Sequence, residues 1–142
     1  MSDFPGGTGP WRFGAVERLA GDPPSPYEGR FGFSRVARFG GFVMVGGTTS
    51  INADGVVLGD TPYAQTVEIL RKVAHELGRG GAGIGDVVMT RCYVTDISRA
   101  EEVGRAHGEV FGEVRPLMTM VEVAGLIDPR MLVEIEAVAW VG

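Results

Sequence analysis

Three stretches of the last third of the chain decide the fold: Ser-Arg-Ala-Glu-Glu-Val-Gly-Arg-Ala-His-Gly-Glu-Val-Phe (98–111), Val-Arg-Pro-Leu-Met-Thr-Met-Val-Glu-Val-Ala-Gly-Leu (114–126) and Leu-Val-Glu-Ile-Glu-Ala-Val-Ala-Trp (132–140). The first reads as a helix. Ser98 and Glu101 have capping-box spacing, and Val103, Ala106, His107, Val110 and Phe111 recur at helical spacing. Pro116 breaks the helix, a strand follows, Asp128-Pro129 turns the chain, and a last strand closes it. Both strands are apolar enough for a core, yet they carry Glu122, Glu134 and Glu136. A carboxylate in a core-forming strand is costly to bury without a partner. This conflict between pattern and charge marks the region for function.

Working outward, 142 residues make one domain with room for a real core. The formal net charge is −5 and Lys72 is the only lysine, so the basic patch that neutralises phosphates is missing and nucleic acid is not an expected partner. One cysteine, Cys92, excludes an intrachain disulfide and any CxxC motif, and reads as a buried small apolar residue. Two histidines, His75 and His107, lack metal-ligand spacing, so neither a metal nor a cofactor is expected. No apolar run approaches membrane-spanning length and the start lacks a signal-peptide profile, so the expected location is cytoplasmic.

In chain order, residues 1–26 read as an N-terminal arm and loop. Pro5, Gly6, Gly7, Gly9 and Pro10 loosen its start, 11–19 suit an edge strand or a docking arm, and Pro23, Pro24 and Pro26 make a loop. Residues 27–142 form the domain proper. Strands are expected over 31–39 and 42–48, joined by Gly40-Gly41 as a hairpin. Thr61 and Pro62 cap and open a helix whose stripe is Val67, Leu70, Val73, Ala74 and Leu77, with His75 off it. A central strand spans 86–95. Two helices following strands cover one face of a mixed sheet, which is an α+β architecture. The other face, with positions such as Val133, Ile135 and Ala139 assigned to it, is expected to meet another subunit.

The runs Ser-Arg-Val-Ala-Arg-Phe-Gly-Gly-Phe-Val-Met-Val-Gly-Gly-Thr-Thr (34–49), Arg-Cys-Tyr-Val-Thr-Asp (91–96) and the closing Leu-Val-Glu-Ile-Glu-Ala-Val-Ala resemble the YjgF/Rid family, often labelled endoribonuclease L-PSP. The similarity runs from about Tyr27 to the C-terminus. It implies a chorismate-mutase-like fold and a homotrimer with three small-molecule clefts between subunits. It also implies cofactor-free hydrolysis of reactive enamines and imines to keto acids and ammonia. The chain departs from the imine-deaminating branch at the arginine that holds the substrate carboxylate, since Met118 stands there, followed by Thr119. The branch's asparagine on the second helix falls at Gly104 and its tyrosine at His107. Its two glutamates are kept as Glu122 and Glu134.

Two residues carry the expected chemistry. Glu134, in a half-dry cleft, suits a general acid or base, against a salt bridge to an arginine across the trimer. His107 suits proton transfer at neutral pH, against a satisfied interface histidine. The expected substrate contacts are Thr119, Glu122, Met118, Arg35, Phe33, Tyr27 and Arg91. Arg35, Arg91 and Arg115 compete to replace the missing clamp, which methionine cannot imitate because it lacks arginine's two-pronged grip. Glu122 and Glu136 read as structural. Gly46-Gly47 reads as close strand packing, with no phosphate-loop pattern around it. The implied function is an enamine or imine deaminase, that is, a hydrolase. The alternative is a non-catalytic ligand-binding or regulatory trimer, and ribonuclease activity is disfavoured by the acidic charge.

Overall fold

The computed structural model describes residues 11–13 and 15–142. A seven-stranded sheet runs in the order β1-β2-β3-β4-β7-β5-β6. Its strands are β1 (Trp11–Phe13), β2 (Val16–Leu19), β3 (Val36–Phe39), β4 (Phe42–Thr48), β5 (Val87–Val94), β6 (Leu117–Glu122) and β7 (Val133–Trp140). Helices α1 (Glu28–Phe31), α2 (Pro62–Arg79) and α3 (Ala100–Phe111) complete the fold. Among the described strands only β5 and β6 pair in parallel. That pairing needs a crossover, which α3 supplies. The other pairs are antiparallel, and the β3–β4 hairpin turns at Gly40-Gly41, where Gly40 takes φ +54.

Strand β7 alternates without interruption. Val133, Ile135, Ala137 and Ala139 are buried, while Glu134, Glu136 and Val138 are half-buried and Trp140 is exposed. The buried set packs with Val36, Val43, Val45, Cys92 and Val94 against Ile69, Leu70, Val73 and Leu77 of α2 and Val103 and Phe111 of α3. Both long helices therefore cover one face. The assignment of Val133, Ile135 and Ala139 to the uncovered face is corrected: they form the core beneath the helices. The open face carries the residues between them. Across it Met44 pairs with Val138, Val138 with Met89, and Met89 with Leu117. Leu117 is 73% exposed, and Trp140, 49% exposed, meets Phe42 edge-on at 4.9 Å.

Local chemistry explains the element ends. Thr61 Oγ1 accepts from the Ala64 N–H at 3.1 Å, with Pro62 at the first helical position, as its sequence predicts. The second cap differs from expectation. Asp96, not Ser98, takes that role, accepting from the Ser98 N–H and starting a 3-10 turn over Ile97–Arg99 that leads into α3. The helical stripes shift too. Val67 (46% exposed) and Val110 face out, while Ile69, Gln65 and Thr66 are buried. Gln65 fits inside because it donates to the Gly59 and Arg130 carbonyls and accepts from the Leu132 N–H. The strand expected from residue 31 begins at Val36 instead. Before it, α1 ends at Gly32 in the left-handed region (φ +74), a conformation that favours glycine.

The loose arm expected over residues 1–10 lies outside the described residues. Residues 11–13 and 16–19, assigned to the arm and loop, extend the sheet as its outer two strands.

Candidate functional site

Between Val45 and Thr48 the pairing of β4 with β7 slips by one residue. The extra residue is a bulge at Gly46-Gly47, and a bulge re-aims local backbone groups. Both freed carbonyls accept from Arg35, at 3.4 Å from Gly46 O and 2.5 Å from Gly47 O, and Thr48 Oγ1 accepts from it at 3.1 Å. Arg35 is buried, and its other prong stands 3.7 Å from Glu28, itself 5% exposed. Glu28 accepts from the Gly21 N–H at 2.7 Å and the Ser25 N–H at 2.6 Å. The buried charge is thus paired and its lone pairs are used.

Glu134 lies over this bulge. A Cβ placed on Gly47 would fall 2.6 Å from Glu134 Oε2, so the carboxylate occupies the space that glycine leaves. Burial pushes the Glu134 carboxyl above its ordinary value; the Arg35 charge opposes that and the Glu136 charge reinforces it. A half-buried carboxyl with a raised pKa, beside a fixed cation and a glycine that gives close access, can exchange a proton with water. Glu136, two residues on, is engaged: Tyr93 Oη donates to it at 2.6 Å and Arg91 at 3.1 Å.

His107 is placed elsewhere. It is 7% exposed, its Nε2 is 2.8 Å from Thr90 Oγ1, and its ring packs on Phe111 at 4.7 Å. Burial lowers its pKa. Thr90 pairs with Ala137 on the helix-covered face, so within one protomer His107 and Glu134 stand on opposite faces of the sheet.

The expected substrate contacts divide the same way. Thr119 pairs with Arg91, and Arg91 with Glu136, which puts these three in one row of the open face with Glu134 one step along β7. Met118 pairs with Thr90 on the His107 side, and Glu122 pairs with Val94. Glu122 accepts from the Ile97 N–H at 3.0 Å and so anchors the turn into α3, a backbone role. Tyr27 stacks on Phe31 at 5.6 Å, with Arg30 over both rings. Phe33 is exposed beside Arg35, 6.0 Å from ring centre to guanidinium carbon. Of the three candidate clamps, Arg35 has a charge that acts on Glu134 but is committed to Glu28 and the bulge. Arg91 is committed to Glu136. Arg115 takes φ +53 and donates to the Gly112 carbonyl.

Cys92 is buried and its thiol is pushed up to about 12, consistent with packing and not with nucleophilic use. Among the described residues no group of three or more His, Cys, Asp or Glu is placed to hold a metal ion, and no helix is long and apolar enough to cross a membrane. Sequence reasoning misses Glu28 and Thr48. The loop before Glu28 is the available signal, since its residues Gly21 and Ser25, on either side of Pro23-Pro24, present main-chain N–H groups that need an acceptor.

The fold and the bulge site define a class: a small α+β scaffold with one sheet face covered by helices and a carboxyl set over glycine on the other. The chain belongs to the YjgF/Rid family, whose profile, described as endoribonuclease L-PSP, matches residues 26–141. It is 46% identical to the crystal structure of Rv2704 from Mycobacterium tuberculosis, a member of the YjgF/YER057c/UK114 family, with a TM-score of 0.79 over 89% of this chain and 99% of that one. An uncharacterized protein of Streptomyces coelicolor is 38% identical over 83% of this chain and 88% of its own length. A RutC family protein of Pyrococcus abyssi is 31% identical over 76% and 85%.

Proposed function

We propose that this chain is a cofactor-free deaminase acting on a small enamine or imine, in a cleft formed where the open sheet faces of three subunits meet, in the cytoplasm. The observation that carries this reading is the Glu134 carboxyl, raised by burial and held over Gly47 beside Arg35. Glu134 takes a proton from water as the oxygen adds to the imine carbon and passes it to the imine nitrogen, giving a carbinolamine; it then relays the hydroxyl proton to the amine, so that the C–N bond breaks, ammonia leaves and a carbonyl remains. The uncovered apolar row of Met44, Val138, Met89 and Leu117 supports association through that face. The folded unit runs from about Tyr27 to the end, with the earlier segment added at the sheet edge.

A second reading is a non-catalytic ligand-binding trimer, and one departure from the family pattern favours it. Aligned on Pro116 and the run Val121-Glu122-Val123-Ala124, the family resemblance puts Met118 where the deaminating branch has its carboxylate-binding arginine, and methionine supplies no positive charge. Ribonuclease activity, which the family's label names, is disfavoured by the net charge of −5.

The test is ammonia release from enzymatically generated 2-aminoacrylate and 2-aminomuconate by wild type, Glu134→Ala and His107→Ala, each checked for folding and trimer mass. Release above the uncatalysed rate that disappears in Glu134→Ala supports the deaminase. No release from either substrate supports the binding reading. Release surviving Glu134→Ala would move the chemistry to other residues.

A further inference from the structure

A cavity of about 350 Å³ lies between the 21–25 loop, the 51–53 loop and one flank of α2, and Glu134 is not among its lining residues. Lys72, the chain's only lysine, lines it and is half-buried. Its amine donates to two main-chain carbonyls, Thr49 O at 2.6 Å and Ile51 O at 2.7 Å. Among the described residues no carboxylate stands within ion-pair distance of it. Glu68 is held by Arg71, Glu76 by Arg79, and Glu28 by Arg35.

Among the described residues two acceptors face the amine, one fewer than an ammonium's donors. An ammonium has three N–H donors, whereas a neutral amine has two, one for each carbonyl, and a lone pair left over. The surroundings act in the same sense. Burial and then the Arg35 charge lower the Lys72 pKa to about 8; Glu68 opposes this, Arg71 reinforces it and Glu28 opposes it. His75 and Asp22, the remaining titratable groups on the lining, are paired with each other at 3.5 Å.

We infer that Lys72 is a reactive amine that captures small carbonyl compounds, aldehydes or 2-oxo acids, as a Schiff base inside this cavity. The lone pair adds to the carbonyl carbon, and a proton moves from nitrogen to oxygen to give a carbinolamine. With one further proton from solvent, water leaves and a protonated imine remains, with no oxidation or reduction. The iminium N–H keeps one of the two main-chain acceptors. Nothing in this step uses Glu134, so it is independent of the deaminase reading.

The experiment treats the full chain with glyoxylate or with glycolaldehyde in the presence of cyanoborohydride, which reduces the imine to a stable secondary amine. Peptide mass mapping reads adduct at Lys72 and at the α-amine, and an amide-blocked free lysine serves as reference. At pH 7 a pKa of about 8 leaves about a tenth of the amine neutral, roughly two-hundred-fold more than an ordinary lysine. The expected result is labelling of Lys72 at least about tenfold faster than the reference by one of the two reagents, with an inflection near pH 8. In Lys72→Arg that adduct is lost while α-amine labelling persists. Labelling no faster than the reference with both reagents, or a rate still climbing above pH 10, would overturn the proposal and leave Lys72 as a tie between α2 and the 49–51 loop.

Discussion

Glu134 on β7 stands on the open face of the sheet, and His107 on α3 is packed against the opposite face through its 2.8 Å contact with Thr90. A single protomer therefore cannot bring the two to one substrate. If both serve one cleft, they do so from different subunits.

This arrangement makes a complementation prediction. Should His107→Ala prove inactive, as Glu134→Ala is expected to be, the two chains are expected to regain ammonia release when unfolded together and refolded as mixed assemblies. Some clefts then receive an intact Glu134 from one chain and an intact His107 from its neighbour. Mixed assemblies as inactive as the parents would show that the two residues do not share a cleft.

Gly47→Ala should leave the fold intact but displace the Glu134 carboxylate. The three nearest atoms to the added methyl all belong to the Glu134 side chain, and Gly47 does not have a positive φ, so the stability change is expected to be about 1 kcal/mol or less. A displaced catalytic group costs about a hundredfold in rate, and ammonia release is expected to fall accordingly. In a Glu134→Ala background the same change should do nothing more, which a double-mutant cycle of rates reads directly.

The raised Glu134 pKa has a definite sign. The folded chain holds that proton more tightly than the unfolded chain, so ionising the group costs stability above the folded pKa and costs none below the ordinary 4.5. Glu134→Gln is therefore expected to be more stable than wild type at pH 7, with the gain fading as pH falls towards 4.5. Urea titrations at several pH values test this, and a gain that grows on acidification would contradict it.

His107 has the opposite behaviour. Its pKa is lowered by burial, so the folded state favours the neutral ring. The stability this carries is complete above 6.5 and is lost as pH drops through the lower folded value. Wild type should weaken below pH 6.5 more steeply than His107→Gln, measured by thermal unfolding across that range.

Arg35→Met leaves the buried Glu28 without its cation and the Gly47 carbonyl without its side-chain donor, while the Gly46 carbonyl keeps the Thr48 hydroxyl. Removing one partner of a buried pair costs about 3–5 kcal/mol. Arg35→Lys is expected to recover only part of this, because one ammonium cannot span the arginine's two directions. Denaturant midpoints of the two variants provide the measurement.

Several elements of the fold and site are legible in the amino-acid order. Thr61-Pro62 announces α2 because cap chemistry is local. Gly40-Gly41 between two alternating runs fixes a hairpin. The two-residue period of 133–140 says that Glu134 and Glu136 share a face and that Val133, Ile135 and Ala137 share the other. Glycine at 46 and 47 points to close packing, and Glu134 fills the space above Gly47.

Period alone does not say which face the helices cover, because that depends on where α2 and α3 dock. The expected and observed faces of β7 are reversed for that reason. Asp96 displaces Ser98 as a cap because its carboxylate accepts from both the Ser98 N–H and the Ser98 hydroxyl, which turns the serine side chain back toward Asp96. The Arg35–Glu28–Gly47–Glu134 cluster joins residues up to about a hundred positions apart, and the Lys72 cavity joins two loops to a helix. Sequence determined the elements and the alternation of their side chains, since those follow from local sterics and hydrogen bonding. Tertiary structure decided the pairing of buried charges and the separation of Glu134 from His107, since desolvation and Coulomb terms depend on distances that only the packed sheet sets.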